Sequence, residues 1–117
     1  MTSDDRLSLF EKLLATNPNV ERKGDTIPYS SLNGHMYCYL SKDGFVALRL
    51  PAGIREEFLE KYKTTLVTAY GIIQKEYVTV PDPLLKKTNE LKHYFDISYD
   101  YISKLKPKPT AKSKKKG

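Results

Sequence analysis

Residues 35–50 read HMYCYLSKDGFVALRL, and the alternation within this stretch decides the fold. Met36, Cys38 and Leu40 alternate with His35, Tyr37 and Tyr39. Beyond Asp43-Gly44, Val46, Leu48 and Leu50 alternate with Phe45, Ala47 and Arg49. A period of two puts successive side chains on opposite faces, so the stretch predicts a β-hairpin with one apolar face. Residues opposite one another on antiparallel strands share a face. Leu40 should therefore meet Val46, Cys38 should meet Leu48, and Met36 should meet Leu50. That register demands a three-residue loop, Lys42-Asp43-Gly44, with Gly44 left-handed in a bulge. A two-residue Asp-Gly turn would set Cys38 against Arg49 and mix the faces.

Outward from the hairpin, the period changes. On the N-terminal side, Asn33-Gly34 is a tight-turn signal and predicts a further short strand near residues 28–32. Upstream, Leu7, Phe10, Leu13 and Leu14 recur at helical spacing, with Ser3 as the expected cap, Asp4 and Asp5 in the first turn, and Asn17-Pro18 as the stop. Residues 20–28 read as a polar connection. On the C-terminal side, Pro51 opens a second helix whose stripe is Ile54, Phe58, Leu59 and Tyr62. Residues 65–80, TLVTAYGIIQKEYVTV, give two strands that break near Gly71. Pro81-Asp82-Pro83 ends the sheet and starts a short helical turn. Thr88 is the expected cap of a last helix carrying Leu91, Phe95, Ile102 and Leu105. The order is α-β-β-β-α-β-β-α. Runs of strands argue for a two-layer α+β fold with helices on one face of a mainly antiparallel sheet.

Composition narrows the function classes. The chain has 117 residues, 39% apolar and 29% charged, ordinary values for a water-soluble domain. Asp4, Asp5, Glu11 and Lys12 interrupt any leader-like apolar run, and no stretch approaches the roughly 20 apolar residues of a membrane span. A lone cysteine, Cys38, excludes an internal disulfide and fits a reducing compartment, so a cytoplasmic location is expected. The net charge of +6 is a property of one end. Seven of the 20 basic side chains fall in residues 104–117, KLKPKPTAKSKKKG, which leaves 13 against 14 acidic ones, a net of −1, in residues 1–103.

Several strings together resemble the TfoX N-terminal-domain-like family: PYSSLNGHMYCYL followed by DGFVALRLP, then EEFLEKY, then KEYVTVPDPLL, and a tyrosine-bearing helix ending in LKPKP. The resemblance covers roughly residues 5 to 107. It implies a two-layer α+β fold with a five-stranded sheet and helices over one face, occurring here as a stand-alone domain over residues 1–105 with a lysine-rich tail at 106–117. It brings no catalytic residues.

Enzymatic chemistry finds no footing in the motifs. Cys38 belongs to the face that helices should cover, where a thiol is inert. No nucleophile elbow is present, and only two histidines exist to act as a base. His35 and Cys38, three apart on one strand, face opposite ways and cannot share a metal. His93 and Asp96 make two ligands without a third. Paired carboxylates at Asp4-Asp5 and Glu56-Glu57 read as helix-start charges. The glycines are scattered singly rather than gathered in a phosphate loop. No cofactor and no metal is expected.

Two binding surfaces are expected instead. On the sheet face without helices, His35, Tyr37, Tyr39, Phe45 and Arg49 should gather, extended by Lys75, Tyr77 and Thr79. Tyrosine and arginine are the types enriched at interface hot spots, which favours docking of a protein partner or a second copy; the same residues would also serve merely as cross-strand pairs. In the tail, Lys104, Lys106, Lys108, Lys112, Lys114, Lys115 and Lys116 cannot bury apolar surface and should stay unstructured. If all seven met duplex DNA, log K would fall with log salt at a slope of about −6. The alternative function is thus a nucleic-acid-binding accessory protein that uses this tail. No amphipathic helix or lipidation motif argues for a membrane surface.

Overall fold

The hydroxyl and carboxylate at the start of the chain close the first helix on itself. In the computed structural model of the protein, which describes residues 2–24, 27–69 and 71–106, α1 (Ser3–Leu14) is capped by Thr2 rather than by the expected Ser3. The Thr2 hydroxyl accepts from the Asp5 N–H at 3.1 Å, and the Asp5 carboxylate accepts from the Thr2 N–H at 3.1 Å. This reciprocal box needs an acceptor three residues after the cap. Thr2 has Asp5 there, whereas Ser3 would have Arg6.

Three strands follow, β1 (Tyr29–Leu32), β2 (His35–Leu40) and β3 (Val46–Arg49), then α2 (Ala52–Lys61), β4 (Leu66–Ala69), β5 (Ile72–Val80), the short α3 (Asp82–Leu85) and α4 (Thr88–Ser103). The strands form one antiparallel sheet in the order β1-β2-β3-β5-β4. This is the α+β order expected from the sequence. Asn33 and Gly34 both have positive φ, 56° and 80°, as a two-residue turn of the primed type requires. Cys38 pairs with Leu48 and Leu40 with Val46. The intervening loop is the three-residue one: the Ser41 N–H donates to the Phe45 carbonyl at 2.7 Å and the Gly44 N–H to the Ser41 carbonyl at 2.9 Å. Gly44 sits at φ +91°, and an added Cβ would lie 3.3 Å from the Arg6 guanidinium. Because left-handed backbone costs a side chain roughly 1–2 kcal/mol, Gly44→Ala is expected to lower stability by about that amount, read as a lower denaturant midpoint at an unchanged slope.

The core lies between one sheet face and the helices. Cys38, Leu48, Val78 and Val80 from the sheet meet Phe10 and Leu13 of α1, Phe58 of α2, Leu85 of α3, and Leu91, Phe95 and Ile102 of α4, all buried. In α2, Phe58 alone is buried, with Ile54, Leu59 and the following Tyr62 packed at the margin. Glu56 and Glu57 lie beyond the first turn of α2, which carries no acid, so they do not serve its dipole as expected. Arg6 reaches from α1 to Asp82 at the start of α3 through two bonds, 3.1 and 3.3 Å. The guanidinium holds the Asp82 carboxyl below its usual range.

One irregularity overturns part of the expected alternation. In the β1–β2 ladder Ser30 pairs with Cys38 and Ser31 with Met36, so Tyr37 has no partner across β1. The extra residue is a β-bulge, which breaks the alternation locally. Tyr37 and Cys38 both turn to the helical side, 1% and 0% exposed, while Met36 turns outward at 38%. The expected Met36–Leu50 contact of the core face is thereby replaced. Leu50 is fully buried, and its N–H bonds to the Glu76 carbonyl.

Candidate functional site

The open face of the sheet follows from the register. Tyr39 pairs with Ala47, Ala47 with Thr79, and Arg49 with Tyr77. Ala47, at the centre, is fully buried, since its neighbours Tyr39 and Thr79 are much larger. The Tyr39 and Tyr77 rings stand 5.8 Å apart, and the Tyr77 hydroxyl donates to the Met36 carbonyl. Burial pushes both phenols above their ordinary pKa. Beside this pair, Ile27, Met36, Tyr39, Phe45 and Thr68 line an open hollow of about 530 Å³, rimmed by Lys42 and Asp43. No helix contributes to its lining.

The expected face is recomposed by the structure. Tyr37 leaves it: its ring stacks on Phe95 at 5.8 Å and meets Tyr99 edge-on at 6.1 Å, both on α4. Burial raises the Tyr37 phenol to about 12. Arg49 is occupied as a clamp. Its Nε lies 2.5 Å from Glu76 Oε1, its guanidinium lies 5.9 Å from the Tyr101 ring, and its side chain is 18% exposed. The Arg49 carbonyl also accepts from Ser98 Oγ at 2.5 Å. His35 is engaged on both nitrogens, with Nε2 3.0 Å from the Lys106 carbonyl and Nδ1 3.5 Å from Arg49 Nη1. These contacts are mutually consistent when Nε2 carries the proton. Asn33 in the turn directs its amide to the C-terminal carbonyls of α4, Ile102 and Ser103, each at 3.4 Å. Thus His35 and Arg49 fasten the end of α4 to the sheet.

Tyr39, Phe45, Tyr77 and the exposed Lys75 stay on or beside the open face. The residues that sequence reasoning missed are Ile27, Met36, Thr68 and Ile73. Ile73 is 57% exposed and pairs with Thr68, so it shares the face that Thr68 brings to the hollow. The signal was present: adjacent strand residues point opposite ways, so Ile72 and Ile73 could not both face the core.

Of the tail, Lys104 closes α4 and pairs with Asp100 at 3.0 Å, and Lys106 is exposed while its carbonyl meets His35. Lys108, Lys112, Lys114, Lys115 and Lys116 lie outside the described residues. The Cys38 thiol is fully buried and burial pushes its pKa well above the ordinary value, which disfavours the thiolate form that a nucleophile needs. Asp96 is paired with Lys92 at 2.5 Å rather than poised beside His93. Among the described residues no group of three His, Cys, Asp or Glu side chains is arranged to hold a metal, and no helix is long and apolar enough to cross a membrane. The chain matches no family model, and no curated protein or solved structure matches it.

Proposed function

We propose that this chain is a small, non-enzymatic interaction module of TfoX N-terminal-like type, and that the open face of its sheet takes a second copy of the same chain. One observation carries the reading: of the four large apolar side chains that stand exposed among the described residues, Ile27, Met36 and Ile73 gather on or around one face, beside Tyr39 and Phe45. Scattered exposed apolar residues need no explanation, but a contiguous group with aromatic neighbours and a charged rim has the anatomy of an interface. A second copy suits the rim, because Lys42 and Asp43 stand side by side and a two-fold axis sets each sign opposite the other.

The test is the mass of the full chain by light scattering across a concentration series. A dimer is expected, weakened at least tenfold by Met36→Asp or Ile73→Asp, where the native side chains are 38% and 57% exposed. A chain that is monomeric throughout, with neither variant changing its behaviour, would overturn the self-association.

A further inference from the structure

We propose that the hollow between the end of α1 and the start of α4 binds a phosphate group, free or at the end of a small phosphomonoester. This hollow, about 530 Å³, shares no lining residue with the one on the sheet face. Three lysines line it, Lys12 from the last turn of α1 and Lys86 and Lys87 from the link into α4. None of the three forms an ion pair among the described residues.

The start of α4 supplies the donors. This helix is 16 residues long, and its N-cap position is Lys87, which makes no side-chain capping bond. The Glu90 and Leu91 N–H groups bond back to the Lys87 carbonyl. Those of Thr88 and Asn89, which both line the hollow, find no protein acceptor among the described residues. Thr88 was expected to cap the helix. It is instead the first helical residue, 9% exposed, and its hydroxyl is buried without a partner. A buried hydroxyl left unpaired is costly unless something else satisfies it. Two free N–H groups and the positive end of a long helix, ringed by lysines, match a dianionic oxygen ligand.

Asp5 and Asp82 lie near enough to Lys86 to feel its charge, but form no ion pair with it and do not line the hollow. Among the described residues Glu90 is the one carboxylate in the lining, and it accepts a hydrogen bond from Tyr62. At the end of α1, the Leu13 and Leu14 carbonyls are taken by the Thr16 and Asn17 N–H groups. The negative end of that helix therefore has no free carbonyl at these two positions to repel an anion.

The full chain, labelled with ¹⁵N, is titrated with inorganic phosphate and then with a small sugar phosphate, at ionic strength held constant with chloride. The Thr88 and Asn89 amide signals are expected to move saturably. Lys86→Ala with Lys87→Ala, both at exposed positions, should raise the dissociation constant at least tenfold. Thr88→Val, nearly the same shape without the hydroxyl, should raise it several-fold. Tighter binding of the sugar phosphate identifies the ester as the ligand class, and equal binding identifies the free anion. The proposal is overturned if chloride moves the same signals equally, if phosphate moves only signals beyond residue 104, or if the double lysine variant binds phosphate as the parent does.

Discussion

Replacing Tyr37 by alanine is expected to remove about 3–5 kcal/mol of stability, the range for truncating a large aromatic in a packed core. Tyr39→Ala, two residues on, should cost roughly 1 kcal/mol, the scale of one cross-strand aromatic pair. The contrast rests on the bulge. With strict alternation the two tyrosines would share the open face and their truncations would cost alike. In the structure Tyr37 is 1% exposed against Phe95 and Tyr99, while Tyr39 meets only Tyr77 among the described aromatic rings. A loss of 3–5 kcal/mol is a large share of the 5–15 kcal/mol that holds a typical domain folded. Tyr37→Ala should therefore shift the urea midpoint far down, with little change in slope, and sit close to the threshold of folding. Equal midpoints for the two variants would mean that Tyr37 is not a core residue. Because the variants differ in which surface they disturb, they also separate function from folding: Tyr39→Ala should weaken self-association while leaving the chain folded.

Most of the hairpin was legible because two constraints agreed. The Asp-Gly signal permits more than one loop length, but only the three-residue loop keeps Cys38 and Leu40 opposite Leu48 and Val46, and that is the register found. The bulge at Tyr37 was not legible, for a physical reason. A tyrosine fits a wet face and a packed core almost equally well, given its apolar ring and polar tip, and methionine tolerates exposure. Exchanging Met36 and Tyr37 between faces therefore costs little that hydropathy alone reports. Arg49 misled in another way. Its charge argued for an outward position, whereas Glu76, twenty-seven residues later, gives it a partner that no local pattern announces. The same holds for His35 and Asn33, whose partners lie at the end of α4. Thr88 had the right residue type for a cap in the right place. What failed was its backbone position, one residue inside the helix, and that displacement leaves its hydroxyl unpartnered.

Raising the pH above 9 is expected to destabilise the protein steeply, because groups buried in neutral form must unfold to ionise. In the unfolded chain the thiol titrates at about 8.5 and the phenols near 10. In the folded chain burial lifts Cys38 well beyond its ordinary value and Tyr37 to about 12. Below about pH 7.5 both states hold these protons, so the two groups contribute no pH dependence. Above it the unfolded chain releases protons that the native chain keeps, and the stability they contribute falls as pH rises. Each fully shifted group adds up to about 1.4 kcal/mol per pH unit to that fall. Around pH 11, Cys38 and Tyr37 together approach about 2.5 kcal/mol per unit, less on either side because the native Tyr37 phenol itself ionises at about 12. Tyr39, Tyr62 and Tyr77 are displaced upward chiefly by burial and act in the same sense. Urea titrations from pH 8 to 11.5 read this slope directly. Tyr37→Phe keeps the ring against Phe95 but has no phenol to ionise, so it should flatten the fall above pH 10 by up to about 1.4 kcal/mol per unit. The Cys38 thiol, the only one in the chain, gives an independent reading: it should stay unreactive towards a thiol reagent at pH 8 and become labelled at the pH where the chain opens. A Tyr37→Phe profile that superimposes on the parent, or a thiol that reacts freely at pH 8, would contradict the burial of these two neighbours on the helical side of the bulge.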